Sequence, residues 1–142
     1  MPIKNADLFL DECIESIISQ SYSNWELLAV NDHSNDDTLE ILRRFSTIDP
    51  RIRIINNRKN GIIEALKTGY TISKGTLVTR MDADDIMPEV KLERLQQLLT
   101  ASGKGFVASG LVKYFSDKPL GNGYIKYEQW LNELSSKDLN YS

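Results

Sequence analysis

The chain of 142 residues holds a single cysteine and a single histidine. One cysteine excludes a disulfide framework and a cysteine-based zinc site; Cys13, set among Ile14, Ile17 and Ile18, reads as a small core residue. No apolar run approaches the length of a membrane span, and the first residues lack the charged-then-apolar order of a secretion signal, so the chain is expected to carry no membrane segment and to be cytoplasmic. No Lys/Arg cluster offsets the formal charge of -3, which argues against nucleic acid as a main partner. No Gly-x-Gly-x-x-Gly follows a strand and no Gly-Lys-Ser/Thr loop occurs, which speaks against dinucleotide enzymes and P-loop nucleotide hydrolases. What remains, 41% apolar and 26% charged, suits one globular domain with a single core.

The most informative stretch is Leu77-Val78-Thr79-Arg80-Met81 running into Asp82-Ala83-Asp84-Asp85. The β-branched and apolar run after Lys74-Gly75 reads as a buried strand, and three carboxylates directly behind it must sit at an open edge. An extended backbone there would send Asp82 and Asp84 to one side, where two like charges call for a cation. The simpler alternative is a solvated loop that caps the following helix.

Upstream, Met1 to Asn5 reads as a strand running into a loop. Leu8, Leu10, Cys13, Ile14, Ile17 and Ile18 recur at helical spacing from Asp7 to about Gln20. Trp25 to Val30 is a nearly continuous apolar strand leading into Asn31-Asp32-His33-Ser34, with N-cap candidates from Asn35 to Thr38. Leu39, Leu42 and Phe45 mark the next helix, stopped at Asp49-Pro50, and Arg51 to Ile55 alternates as an edge strand. Gly61 opens a helix carrying Ile62, Ile63, Leu66 and Tyr70, with Gly75 placed as a left-handed cap. After Pro88 a long helix turns Leu92, Leu95, Leu98 and Leu99 inward; Gly103 to Gly105 break it, Phe106 to Phe115 reads as a strand or bent pair, and Tyr127, Trp130, Leu131 and Leu134 form a short last helix.

Alternating strands and helices specify an open, mostly parallel α/β sheet with helices on both faces, so the loops at the strand exits form the functional edge. Asn31 to Asp37 and Asp82 to Asp85 leave their strands in the same direction and are expected side by side. Asp32 can accept hydrogen bonds from a base or ribose, His33 reads as solvated, and Arg80 either reaches a phosphate or pairs with a neighbouring acid. Bare carboxylates would repel a diphosphate, so a divalent ion, manganese or magnesium, is required between them.

These residues together resemble the family 2 glycosyltransferases, which have the GT-A fold. The resemblance rests on Pro2-Ile3-Lys4-Asn5, Ser16-Ile17 with Gln20, Glu26 to Asp32 with Ser34 and Asp36, Asn60-Gly61, Ala65-Leu66, Lys74-Gly75 and Arg80 to Asp85. It runs from Pro2 to about Leu99 and more weakly to the end. It implies one donor-binding domain over residues 1–142, with 103–142 beginning an acceptor-side region. Asp32 would bind the base, usually uracil, with Pro2, Ile3 and Lys4 lining the same pocket. Asp82, directed mainly at ribose, and Asp84, at the metal, match the Asp-x-Asp motif around Ala83; Asp82 is also a second metal candidate, and Asp85 is the motif's fourth residue. Asn31, Lys67 and Pro88 depart from the common pattern.

The resemblance also implies a chain shortened at both ends. Met1 stands where a first strand should be finishing, and none of Glu89, Glu93, Asp117, Glu128, Glu133 and Asp138 matches the family's acceptor-side base, so no catalytic residue is named. The expected partners are a nucleotide-sugar donor, a UDP-sugar, and a carbohydrate or lipid-linked acceptor in cell-envelope polysaccharide synthesis, with the full enzyme peripheral to the membrane. One rival is a non-catalytic remnant or interaction module of the same fold. Another is an Asp-x-Asp phosphatase, whose acidic strand belongs near the start of a chain.

Overall fold

The computed structural model describes residues 1–102, 111–116 and 118–136. They divide into two compact units, Met1–Glu93 and Arg94–Ser142. In the first, β1 (Pro2–Ile3), β2 (Leu27–Asn31) and β3 (Ile52–Asn56) make a parallel sheet in the order β1-β2-β3. Pro2 pairs with Val30 and Ile3 with Asn31, while Leu27 to Asn31 run in register with Ile52 to Asn56. β3 thus holds the edge position expected from its alternating sequence.

Every residue of β2 is buried, which is why that stretch is apolar without alternation: both faces are covered. Leu27 and Ala29 join a core with Leu10, Cys13, Ile14 and Ile17 of α1 (Leu10–Ile18) and Leu42 and Phe45 of α2 (Thr38–Ile48). α3 (Ile62–Ile72) packs on β1 and β2. Its contact residues are small. Ala65 is fully buried, and a Cβ at Gly69 would lie 3.4 Å from Val30 Cγ2, so the helix lies close to the strand. Ile62, Ile63 and Tyr70 are consequently exposed on the outer side.

Several expectations change. α1 begins at Leu10 because Ala6 O accepts from both Phe9 N–H and Leu10 N–H, which leaves Leu8 in the preceding turn at 84% exposure. Gly75 is not in the left-handed region; among the described glycines only Gly61 is, at φ 99°. Leu77 to Met81 form no strand, and Leu77 and Val78 are 49% and 58% exposed. A strand needs a ladder partner, and on this side of the sheet the open edge is β1, two residues long. The apolar run therefore has almost nothing to pair with.

The second unit contains most of α4 (Lys91–Ser102) and all of α5 (Asn122–Ser136). Leu98, expected inward, is exposed. Residues 103–110 lie outside the described residues, and with them the Gly103 to Gly105 break and the first half of the Phe106 to Phe115 strand. Residues 111–116 form no strand, because Val112 N–H and C=O are both satisfied by the Asn132 side-chain amide at 2.7 and 2.8 Å. The last helix is fifteen residues long, not short. Tyr127 and Trp130 stack along it at 5.5 Å. Among the described residues no helix is long and apolar enough to cross a membrane.

Candidate functional site

The carboxyl edge of the sheet is where this fold carries a ligand. The parallel ladder continues past the strands at that edge: Asp32 N–H donates to Ile3 O at 2.7 Å and Asn57 N–H to Asn31 O at 2.9 Å. Beyond it, the loop after β1 and the loop after β2 are clasped together. Asn5 N–H donates to Ser34 Oγ at 3.1 Å, Asn35 N–H to Asn5 Oδ1 at 2.9 Å, and Ala6 N–H to the buried Thr38 Oγ1 at 2.8 Å. Asp36, one of the N-cap candidates, accepts from Thr38 N–H at the start of α2 and from Asp7 N–H. Asn5 and His33 take positive φ, at 49° and 59°, to make these turns, and His33 is exposed as expected.

Asp32 leaves β2 into this framework and is only 4% exposed. Its Oδ1 accepts from Asn57 Nδ2 at 2.7 Å and its Oδ2 from Gly61 N–H at 2.9 Å. These two bonds, Asn57's first, hold the carboxyl below its ordinary pKa against the opposing effect of burial, with Lys4 helping. Asp32 is therefore an anion in neutral solution, with one lone pair on each oxygen still open to a ligand. Asn57 Oδ1 in turn accepts from Thr68 Oγ1 at 3.3 Å, so α3 steadies the group.

The acidic segment reaches the same edge by another route. Met81, Ala83 and Met87 are buried in the core and act as anchors, while Asp84, Asp85 and Ile86 between them face outward. Ser16 and Gln20 of the α1 region hold the far end. Met87 N–H donates to Ser16 Oγ at 2.9 Å, and Gln20 Nε2 donates to Pro88 O at 2.8 Å. Gln20 Oε1 accepts Leu92 N–H at 3.1 Å. Cys13 Sγ lies 3.5 Å under Asp82 O; burial first, then the nearby carboxylates, push its thiol up to about 12. The backbone turns at Ala83-Asp84, with Asp85 N–H donating to Asp82 O at 3.3 Å, so alternation along a strand is not what orients the acids.

The result is one cleft of about 530 Å³. Pro2 and Ile3 of β1 and Lys4 just after it line the cleft, with Asp32 from the exit of β2, and Asp82, Ala83 and Asp84 from the acidic segment. All seven expected nucleotide-sugar residues thus border one space. Asp82 is not free within it: Arg80 Nε donates to Oδ1 and Nη2 to Oδ2, both at 2.9 Å. Asp84 is exposed and, among the described residues, carries no ion pair. Burial and the charges of Asp84 and Asp82 raise the Asp85 carboxyl above its ordinary value. Among the described residues no three His, Cys, Asp or Glu side chains gather around one point.

The family model of glycosyl transferase family 2 matches residues 1–141. The chain belongs to the family 2 glycosyltransferases. An uncharacterized glycosyltransferase of Haemophilus influenzae is 34% identical over 139 residues, which are 95% of this chain and 43% of that protein. Glycosyltransferase GlyG of Streptococcus pneumoniae is 34% identical over 126 residues, 88% of this chain and 41% of that protein. The chain thus spans less than half the length of these curated relatives. Among solved structures, S. aureus TarS 1-349 in complex with UDP-GlcNAc superposes with a TM-score of 0.65 at 20% identity, over 70% of this chain and 30% of that one. The fold is accordingly the α/β GT-A fold.

For this glycosyltransferase chain, sequence reasoning passed over Asn57, the Gly61 N–H, Phe9 and Ile62, of which the last three also border the cleft. Asn57 was within reach, since it stands at the exit of β3, on the edge that had already been singled out. Two of the acids downstream have structural duties: Glu93 Oε2 accepts from Ser21 Oγ at 2.8 Å and Glu128 Oε2 from Tyr114 N–H at 2.6 Å. Asp117 and Asp138 lie outside the described residues.

Proposed function

We propose that this chain binds the UDP-sugar donor of a glycosyltransferase, for transfer of the sugar to a carbohydrate or lipid-linked acceptor. The observation that carries the reading is the meeting, in one cleft, of a buried ionised Asp32 with Asp82 and Asp84, brought there by separate segments of the chain. Relatives bearing the name glycosyltransferase and the fold shared with TarS, solved with UDP and UDP-GlcNAc, support it.

In this reading Asp32 accepts the N–H of the uracil ring, held in place by Asn57 and Gly61, while Pro2, Ile3 and Lys4 border the base. Asp82 faces the ribose hydroxyls. Hard oxygen donors are what a magnesium or manganese ion takes, and one or two carboxylates with phosphate and water oxygens complete its shell. The unpaired, exposed Asp84 fits that role, with Asp82 beside it. Such an ion, when bound, supplies positive charge against the diphosphate. The chain's own residues bind and orient the donor. Residues 103–142 begin the acceptor side, and the intact enzyme works at the cytoplasmic face of the membrane in envelope polysaccharide synthesis.

Calorimetry with UDP, in manganese and in chelator, tests the reading. Binding is expected to tighten with manganese and to lose that gain in Asp84→Ala, while Asp32→Asn weakens uridine and UDP alike. Equal affinity with and without manganese, or no effect of Asp32→Asn, would overturn the respective assignment.

A further inference from the structure

We propose that Arg80 is the residue that grips the donor's diphosphate, and that in the empty cleft it is parked on Asp82. The proposal rests on the reading of the cleft as a UDP-sugar site and adds a residue, and an exchange of partners, to it.

The cleft is bordered by two cationic side chains, Lys4 and Arg80, against three carboxylates. Asp32 has its charge dispersed into Asn57 and the Gly61 N–H. Among the described residues Asp84 has no ion-pair partner. Arg80 is committed to Asp82, the acid that the nucleotide needs. The guanidinium uses Nε and Nη2 on the two oxygens of Asp82, and among the described residues Nη1 has no partner. A phosphate presents the same pair of oxygens as a carboxylate, so this fork can move from one to the other without changing its geometry.

The exchange is also inexpensive. Arg80 and Asp82 are 56% and 40% exposed at their side chains, and an ion pair as wet as this holds weakly. The backbone around Arg80 belongs to no strand, and Leu77 and Val78 just before it are exposed, so no ladder fixes the guanidinium in place. A diphosphate carries more charge than one carboxylate and draws the arginine across. Asp82 is then released, with both oxygens, to ribose or metal.

Three consequences follow in order. Without metal, UDP still binds through Arg80. Uridine, which has no phosphate to draw Arg80 across, gains nothing from Arg80 and is not weakened by its loss. Free manganese meets Arg80 as a competitor for Asp82 and binds the empty cleft better once it is gone.

The experiment measures UDP and uridine in chelator by calorimetry, and manganese alone by electron paramagnetic resonance, on the wild-type chain, Arg80→Gln and Arg80→Lys. Arg80→Gln is expected to weaken UDP about tenfold, to leave uridine no weaker, and to tighten manganese a few-fold. Arg80→Lys, which keeps the charge and loses the fork, should fall between. Because the side chain is exposed and lies outside the core, both variants should fold; a uridine affinity that does not fall reports that the cleft is intact. UDP affinity in chelator unchanged by Arg80→Gln, or UDP and uridine weakened equally, overturns the assignment while leaving the donor site standing. A wild-type chain that takes neither uridine nor UDP overturns both.

Discussion

Replacing Asn57 by Asp tests the reading of the buried network directly, because it keeps the shape while adding a charge and turning the Nδ2 donor into an acceptor oxygen. Asn57 Nδ2 sits 2.7 Å from Asp32 Oδ1, so the variant sets two carboxylates face to face in a site with little water. At a charge separation of about 4 Å and an effective dielectric of about 20, the repulsion is about 4 kcal/mol. The pair escapes by taking up a proton. At pH 7 that costs about 1.4 kcal/mol for each unit between 7 and the ordinary Asp value near 3.9, again about 4 kcal/mol. The loss at pH 7 is thus bounded near 4 kcal/mol, enough to lower the melting temperature by about 10 °C or more.

The sign with pH follows from the shared proton. The pair's folded pKa is raised, so between the unfolded and folded values the native state holds more protons than the unfolded chain, and stability rises as pH falls. Protonation also restores a bond, the new O–H donating to the facing carboxylate. Urea unfolding of the variant and the wild type at pH 7.5, 6 and 5 should show the deficit shrinking by about 1.4 kcal/mol per unit. A deficit of the same size at all three values, or none at pH 7.5, would refute the placement of Asn57 against an ionised Asp32.

Gly61 stands at φ 99° and ψ 156°, a region closed to L side chains although nothing lies within 4 Å of its missing Cβ; Gly61→Ala should cost about 1–3 kcal/mol by backbone strain alone, read by thermal unfolding. Thr38→Val removes the acceptor of the buried Ala6 N–H and should cost about 1–3 kcal/mol in urea unfolding, with Thr38→Ser near wild type. Cys13, buried and pushed up to about 12, has almost no thiolate at pH 8; it should resist a disulfide reagent in the native chain and react at once in denaturant.

The two ends of the acidic segment show how the site gains its order without a strand. Its apolar members enter the α1 side of the core at Met81, Ala83 and Met87, and the amide of Gln20 binds the chain where it leaves. Ser16 and Gln20 belong to the blocks by which the chain resembled its family, yet neither borders the cleft. Their contribution is to hold the segment that does.

Read without coordinates, the chain already declared what burial and backbone preference control. The unbroken apolar run of β2 announced a strand covered on both faces, the alternation in Arg51 to Ile55 an edge, and Cys13 a core position. Such features depend on a residue and its near neighbours, and these are written locally. Tertiary structure decided the choice of partner. Leu77 to Met81 has a strand's composition but forms no ladder, and β1, at the end of the sheet order, is only two residues long. Asn57 and Asp32 lie 25 residues apart, Gly61 and Asp32 29 apart, and only the parallel pairing of β2 with β3 brings them together. Arg80, whose sequence left a phosphate and a neighbouring acid both open, lies on Asp82 two residues on, because the fork of an arginine goes to whichever pair of oxygens the fold sets within its reach.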